Sequence, residues 1–155
     1  MLDTNSVRQN WQEIIKTGGF NTFLTLNPAA PGLKAHEALK LGETLAKRIK
    51  DRANLPAGSV ILIPENCAQD LWHYHGFVAA TTSEQFVYLR DEGAQMLEHA
   101  MKAQIIGKFR PDQYQRTEPR SSALIEPLGD EPDGAIYYAT KYWDVQHKGQ
   151  TIIYL

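Results

Sequence analysis

Apolar residues recur along this chain with two periods, one near 3.6 and one near 2, and their alternation predicts the elements in order. Val7, Trp11, Ile14 and Ile15 form a helical stripe that Thr4 or Asn5 can cap and Gly18-Gly19 can end. Residues 20–27 are strand-like in composition and stop at Pro28 and the Pro31-Gly32 turn. Ala38, Leu41, Leu45 and Ile49 predict a helix over 35–52, with Lys40, Lys47 and Lys50 on its wet face. Pro56-Ala57-Gly58 breaks the chain before the apolar run Val60-Ile61-Leu62-Ile63, which ends at Pro64-Glu65. A loop over 66–70 leads into a strand over 71–78, closed by Thr81-Thr82-Ser83. Residues 85–90 fit either a short strand or the start of a helix. Asp91 is read as the cap of a helix through Met96, Leu97, Ala100, Met101 and Ile105, closed by Gly107 and Pro111. A polar loop over 108–120, a short strand over 122–126 and an acidic loop over 127–134 follow. A helix over 135–142 and a last strand over 151–155 complete the chain. Strands interleaved in this way predict an α+β fold with antiparallel hairpins, not a βαβ train.

The 155 residues suit a single domain able to bury a core without staples. No apolar run is long enough to cross a bilayer, and the N-terminus lacks a signal-peptide pattern. The one cysteine, Cys67, excludes an internal disulfide and suits a reducing cytoplasm. It reads as a small packed or loop residue. A net charge of −2 does not advertise a nucleic-acid binder, but the distribution is uneven. Lys34, Lys40, Lys47, Arg48, Lys50 and Arg52 outnumber Glu37, Glu43 and Asp51. Lys102, Lys108, Arg110, Arg116 and Arg120 outnumber Asp112 and Glu118. Either patch can meet a short strand of nucleic acid, although solvated helix faces are the commoner meaning of such runs.

The chemistry gathers at His73-Tyr74-His75. On a strand the two imidazoles share one face and Tyr74 takes the other. Neutral imidazole is a common ligand for divalent metals, so the pair is half a metal site. Glu65 ends the preceding strand, eight positions ahead of His73. A hairpin would bring it to the same face, giving two nitrogens and a carboxylate suited to Mg²⁺ or Mn²⁺. Asp70 competes as a ligand from the loop. Farther on, Tyr138, Lys141 and Tyr142 share one face of the late helix. A phenol is a poor nucleophile at its free pKa of about 10, but becomes useful where a cation and a metal neutralise the phosphate it attacks. Alone, each feature has a bland reading: surface histidines, a glutamate after a proline, an aromatic helix packed on a sheet. Their coincidence is expected in roughly one shuffle per hundred or fewer.

In these residues the chain resembles the HUH endonucleases, specifically replication initiators of the rolling-circle type. Phe23-Leu24-Thr25-Leu26-Asn27 is similar to the family's first motif, His73-Tyr74-His75 to its second, and Tyr138-Ala139-Thr140-Lys141 to its third, with Glu65 at the upstream ligand position. The resemblance implies an antiparallel sheet of about five strands flanked by helices, of RRM-like or ferredoxin-like type, as one nuclease domain over 1–155 without a helicase domain. It further implies metal-dependent nicking and joining of single-stranded DNA at an origin hairpin or nick site through a 5′-phosphotyrosine. The site residues it implies are Tyr138 and Lys141 for catalysis, with Tyr142 as a candidate second tyrosine. Glu65, His73 and His75 would hold Mn²⁺ or Mg²⁺, and Thr25, Asn27, Lys108 and Arg110 would contact DNA. Val145 stands where two-tyrosine members carry a second lysine, which argues against that variant. Host helicase and polymerase are the implied partners, with no membrane.

Two other readings compete. A tyrosine transposase or relaxase would use the same chemistry, but such transposases pair the tyrosine with Gln or Asn, and relaxases place it near the N-terminus. A non-enzymatic RRM-like module binding nucleic acid or protein would leave the histidines incidental. Uptake of Mn²⁺ at Glu65 separates it from the enzyme.

Overall fold

Strand β1 (Thr22–Asn27) alternates buried and half-buried positions, so Leu24 and Leu26 enter one core while Phe23 and Thr25 face another. The computed structural model describes residues 4–67, 71–109, 120–140 and 152–155. Within them β1 joins β2 (Val60–Asn66), β3 (Trp72–Val78), β4 (Ser122–Pro127) and β5 (Ile153–Tyr154) in one sheet of order β4-β1-β3-β2-β5, every pair antiparallel. The fold is α+β, an open five-stranded antiparallel sheet flanked by helices. None of its described helices is long and apolar enough to cross a membrane.

One sheet face packs on α2 (Ala35–Arg52) and α4 (Ala94–Gln104), burying Leu24, Leu26, Leu62 and Tyr74 against Leu41, Leu45, Leu97 and Met101. The other packs on α1 (Thr4–Thr17) and α5 (Asp133–Thr140), burying Ile61, Ile63 and Phe77 against Ile15, Phe20, Ile136 and Ala139. Gly42 lets α2 approach closely, since a Cβ there would lie 2.8 Å from Tyr74 Cε1 and 2.5 Å from Ile153 Cδ1. Trp72 Nε1 donates to the Leu33 carbonyl at 2.8 Å, and the Tyr74 hydroxyl donates to that of Ala38. Burial raises the Tyr74 pKa, so this phenol stays a donor. Tyr74→Phe is expected to cost about 1 kcal/mol through that lost hydrogen bond. Urea unfolding reads it as a lower midpoint at unchanged slope, and an unmoved midpoint would make the bond energetically idle.

The sequence expectation for α2 matches its observed bounds. Five others need correction, and the open reading of 85–90 is settled. Strand β1 begins at Thr22, and Asn21 just before it ties down the chain after β3: its Nδ2 donates to the Ala80 carbonyl and its Oδ1 accepts from the Ala80 N–H. Strand β2 continues past Pro64 to Asn66. Among the described residues β5 meets β2 at Ile61 and Leu62, so Pro64 lies beyond that pairing and its missing N–H removes no bond there. Residues 85–90 are helical: α3 (Ser83–Tyr88) starts at a capping box in which Thr82 Oγ1 accepts from the Gln85 N–H while Gln85 Oε1 accepts from the Thr82 N–H. Asp91 is therefore no cap, and lies in a π-helical turn, Leu89–Gly93, that runs on into α4. A second such turn, Ile105–Phe109, carries Lys108 and Phe109, which the sequence placed in a loop. Helix α5 begins two residues earlier than expected, inside the acidic stretch.

Candidate active site

The register of β2 on β3 pairs Glu65 directly with His73 and Ile63 with His75. Directly paired residues share a face. Glu65, His73 and His75 therefore stand together on the α1/α5 side, and Tyr74 on the other. His75 Nε2 lies 3.0 Å from Glu65 Oε2, and both side chains are nearly buried. The His73 pKa is lowered first by burial, which disfavours the cation; Glu65 opposes this and His75 adds to it.

That shift has a signed consequence. Below the ordinary imidazole value of about 6.5 the unfolded chain protonates His73 more readily than the folded one. Stability therefore falls as pH drops from about 6.5 through the lowered folded-state value. His73→Gln is expected to flatten this acid limb in urea unfolding followed from pH 7 to pH 5. A limb of unchanged slope would place its origin elsewhere.

Two aromatic rings pack on His75. Phe23 of β1 stacks on it at 6.0 Å between centroids with planes 4° apart. Tyr138 of α5 meets it edge-on at 5.1 Å and 83°. Phe23 in turn packs on Phe77 at 5.3 Å, which joins the imidazole to the buried core. Helix α5 is held by Ile136 and Ala139 in that core, by Gln12 Nε2 donating to Thr140 Oγ1 at 2.9 Å, and by Lys16 paired with Asp133 at 3.5 Å. Tyr138 is thereby presented from a fixed helix while 49% exposed. Tyr137 next to it is also exposed and makes no ring contact with the histidines among the described residues.

The remaining site residues divide. Thr25 pairs directly with His75 across β1 and β3 and is half-buried on the same face. Asn27 lies on that face too, but its Oδ1 accepts from the Ala29 N–H at 2.9 Å, closing the turn in which Ala29 takes φ 54°. Lys108 belongs to the turn after α4, where Ile105 and Phe109 join the opposite core, so it is not gathered with Tyr138. Helix α2, with its basic run, also covers that opposite face. Lys141, Tyr142, Arg110 and Asp70 lie outside the described residues. Cys67 is exposed after β2, outside any disulfide among the described residues, with its Sγ 4.0 Å from the Glu65 carbonyl oxygen. The sequence reading quoted Phe23 within a motif and gave it no role at the site. Its alternation with Thr25 was the available signal, but the register that sets it over His75 was not.

The donor set fits a borderline divalent ion: two imidazoles and a carboxylate on adjacent strands. His73 Nε2 and His75 Nδ1 are buried with no hydrogen-bond partner among the described residues, a costly state that ligation would relieve. Among the described residues no three His, Cys, Asp or Glu side chains are already gathered as a metal-holding group, and Glu65 and His75 close on each other instead. Comparison of the chain with models of known families, with curated proteins and with solved structures finds no match.

Proposed function

We propose that this chain nicks and rejoins single-stranded DNA through a covalent tyrosine intermediate, as an HUH-type replication initiator. The observation that carries this is the Tyr138 ring set 5.1 Å from the His75 ring, on the strand pair that aligns Glu65 with His73. Nucleophile and ligand set thus belong to one site, although they are more than sixty residues apart in sequence.

Glu65, His73 and His75 are the residues that would hold Mn²⁺ or Mg²⁺. Such an ion, when bound, draws charge from the scissile phosphate and orients it. Tyr138 Oη attacks the phosphorus in line; the bond from phosphorus to the 3′ oxygen breaks; the phenolic proton ends on that oxygen as a free 3′-hydroxyl. The 5′ phosphate stays esterified to Tyr138 until a 3′-hydroxyl reverses the step. Phe23 and Glu65 keep the His75 ring from turning. Thr25 lies where the strand would pass. Lys141, which would neutralise the phosphate, and Tyr142, the candidate second tyrosine, enter from the sequence alone, as do Arg110 and a cytosolic setting with host helicase and polymerase as partners.

The test mixes the protein with Mn²⁺ and a pool of single-stranded oligonucleotides. A protein–DNA band that survives denaturing electrophoresis is expected, and excess chelator present from the start should prevent its formation. A band indifferent to chelator would overturn the metal's part, and no band from any oligonucleotide would overturn the nuclease.

A further inference from the structure

We propose that the groove between α2 and α4 is a second phosphate-binding surface, which takes nucleic-acid backbone beyond the segment held at Tyr138. This rests on the proposed function only for the identity of the polymer. The groove encloses about 490 Å³. Arg48 and Arg52, one helical turn apart on α2, line one wall, and Gln95 and His99, one turn apart on α4, line the other, with Tyr88 and Gln104 at the ends. All six present hydrogen-bond donors, and Tyr88 adds an aromatic ring on which a base can stack.

The two arginines are the informative members. A guanidinium is a planar fork of donors that matches a carboxylate or a phosphate, and structural arginines in grooves are usually found so paired. Neither Arg48 nor Arg52 has a hydrogen bond or salt bridge among the described residues. Glu92 is the single carboxylate on the groove lining and stays unpaired with them. The α2 helix dipole favours cations in its last turns and accounts for the arginines on their own. It does not account for Gln95 and His99 facing them across the groove. Two guanidiniums one turn apart can meet successive phosphates of a chain, which suits a polyanion better than a lone ion.

This layer packs on the Tyr74 face of the sheet, whereas Tyr138 lies over the histidine face. A strand held at Tyr138 must therefore pass round the sheet to reach Arg48 and Arg52, and only a long strand can touch both. Binding of oligothymidylates is measured by fluorescence anisotropy without added metal, so that no cleavage intervenes. One probe has about eight nucleotides, within the span of a single binding face, and the other about thirty. For the long probe, Arg48→Ala/Arg52→Ala is expected to lower the slope of log affinity against log salt by about 1.4, two contacts at about 0.7 each, which is roughly twentyfold in affinity at 0.1 M salt. The short probe should bind as before. Arg48→Lys/Arg52→Lys should keep the original slope, which separates charge from fold. An unchanged slope for the alanine pair would overturn the inference, as would an equal loss on both probes. Neither outcome touches the adduct assay, so the two readings fail separately.

Discussion

Tyr138→Phe is expected to abolish the covalent protein–DNA band while oligonucleotide and Mn²⁺ binding stay within about twofold. Removing the nucleophile of a covalent mechanism costs several orders of magnitude, roughly 10⁴ to 10⁶. The phenylalanine ring can keep the edge-on contact with His75, and Tyr138 is half exposed, so the fold should not move. An unchanged thermal midpoint verifies that. A band that persists would move the nucleophile to Tyr137 or Tyr142 and leave Tyr138 as packing over the imidazole.

The largest expected effect on stability lies beneath the same imidazole. Phe77 is fully buried between Phe23 and the α1/α5 core. Phe77→Ala removes that ring and leaves a cavity, at a cost of about 3–5 kcal/mol. For a chain of this size the thermal midpoint should fall by roughly 10 °C. Adduct formation should also slow well below the new midpoint, since Phe23 would lose its support and His75 its fixed plane. A midpoint lowered by less than about 2 °C would mean that the site stands without this core.

The sequence made the α+β class legible because the elements differ in period: the stripe of α2 at 3.6 and the alternation around His73 and His75 at 2 leave little room for exchange. The pairing of Glu65 with His73 was legible for a related reason, since a short loop between two strands permits few registers. The start of α3 was hidden. Its cap depends on Gln85, whose side chain serves Thr81 and Thr82 and also reaches the Asn54 carbonyl at 2.8 Å, and Asp91 mimicked a cap six residues later. The place of Phe23 over His75 was hidden as well, because β1 and β3 are separated in sequence by α2 and β2, and alternation alone does not set their register. Composition also left both basic runs as equal candidates to meet a strand at Tyr138. The layering of the helices separates the α2 run, together with Lys102 and Lys108, from that site, because α2, α4 and the turn bearing Lys108 cover the Tyr74 face; Arg110 and Arg116 lie outside the described residues.

The chemistry attributed to the site converges on a single oxygen, and mass spectrometry can locate it. The purified adduct, trimmed with nuclease and digested with protease, should carry its nucleotide phosphate on the peptide containing Tyr138, at that phenol. Nucleotide found on any other residue, or a peptide map with none, would contradict the account.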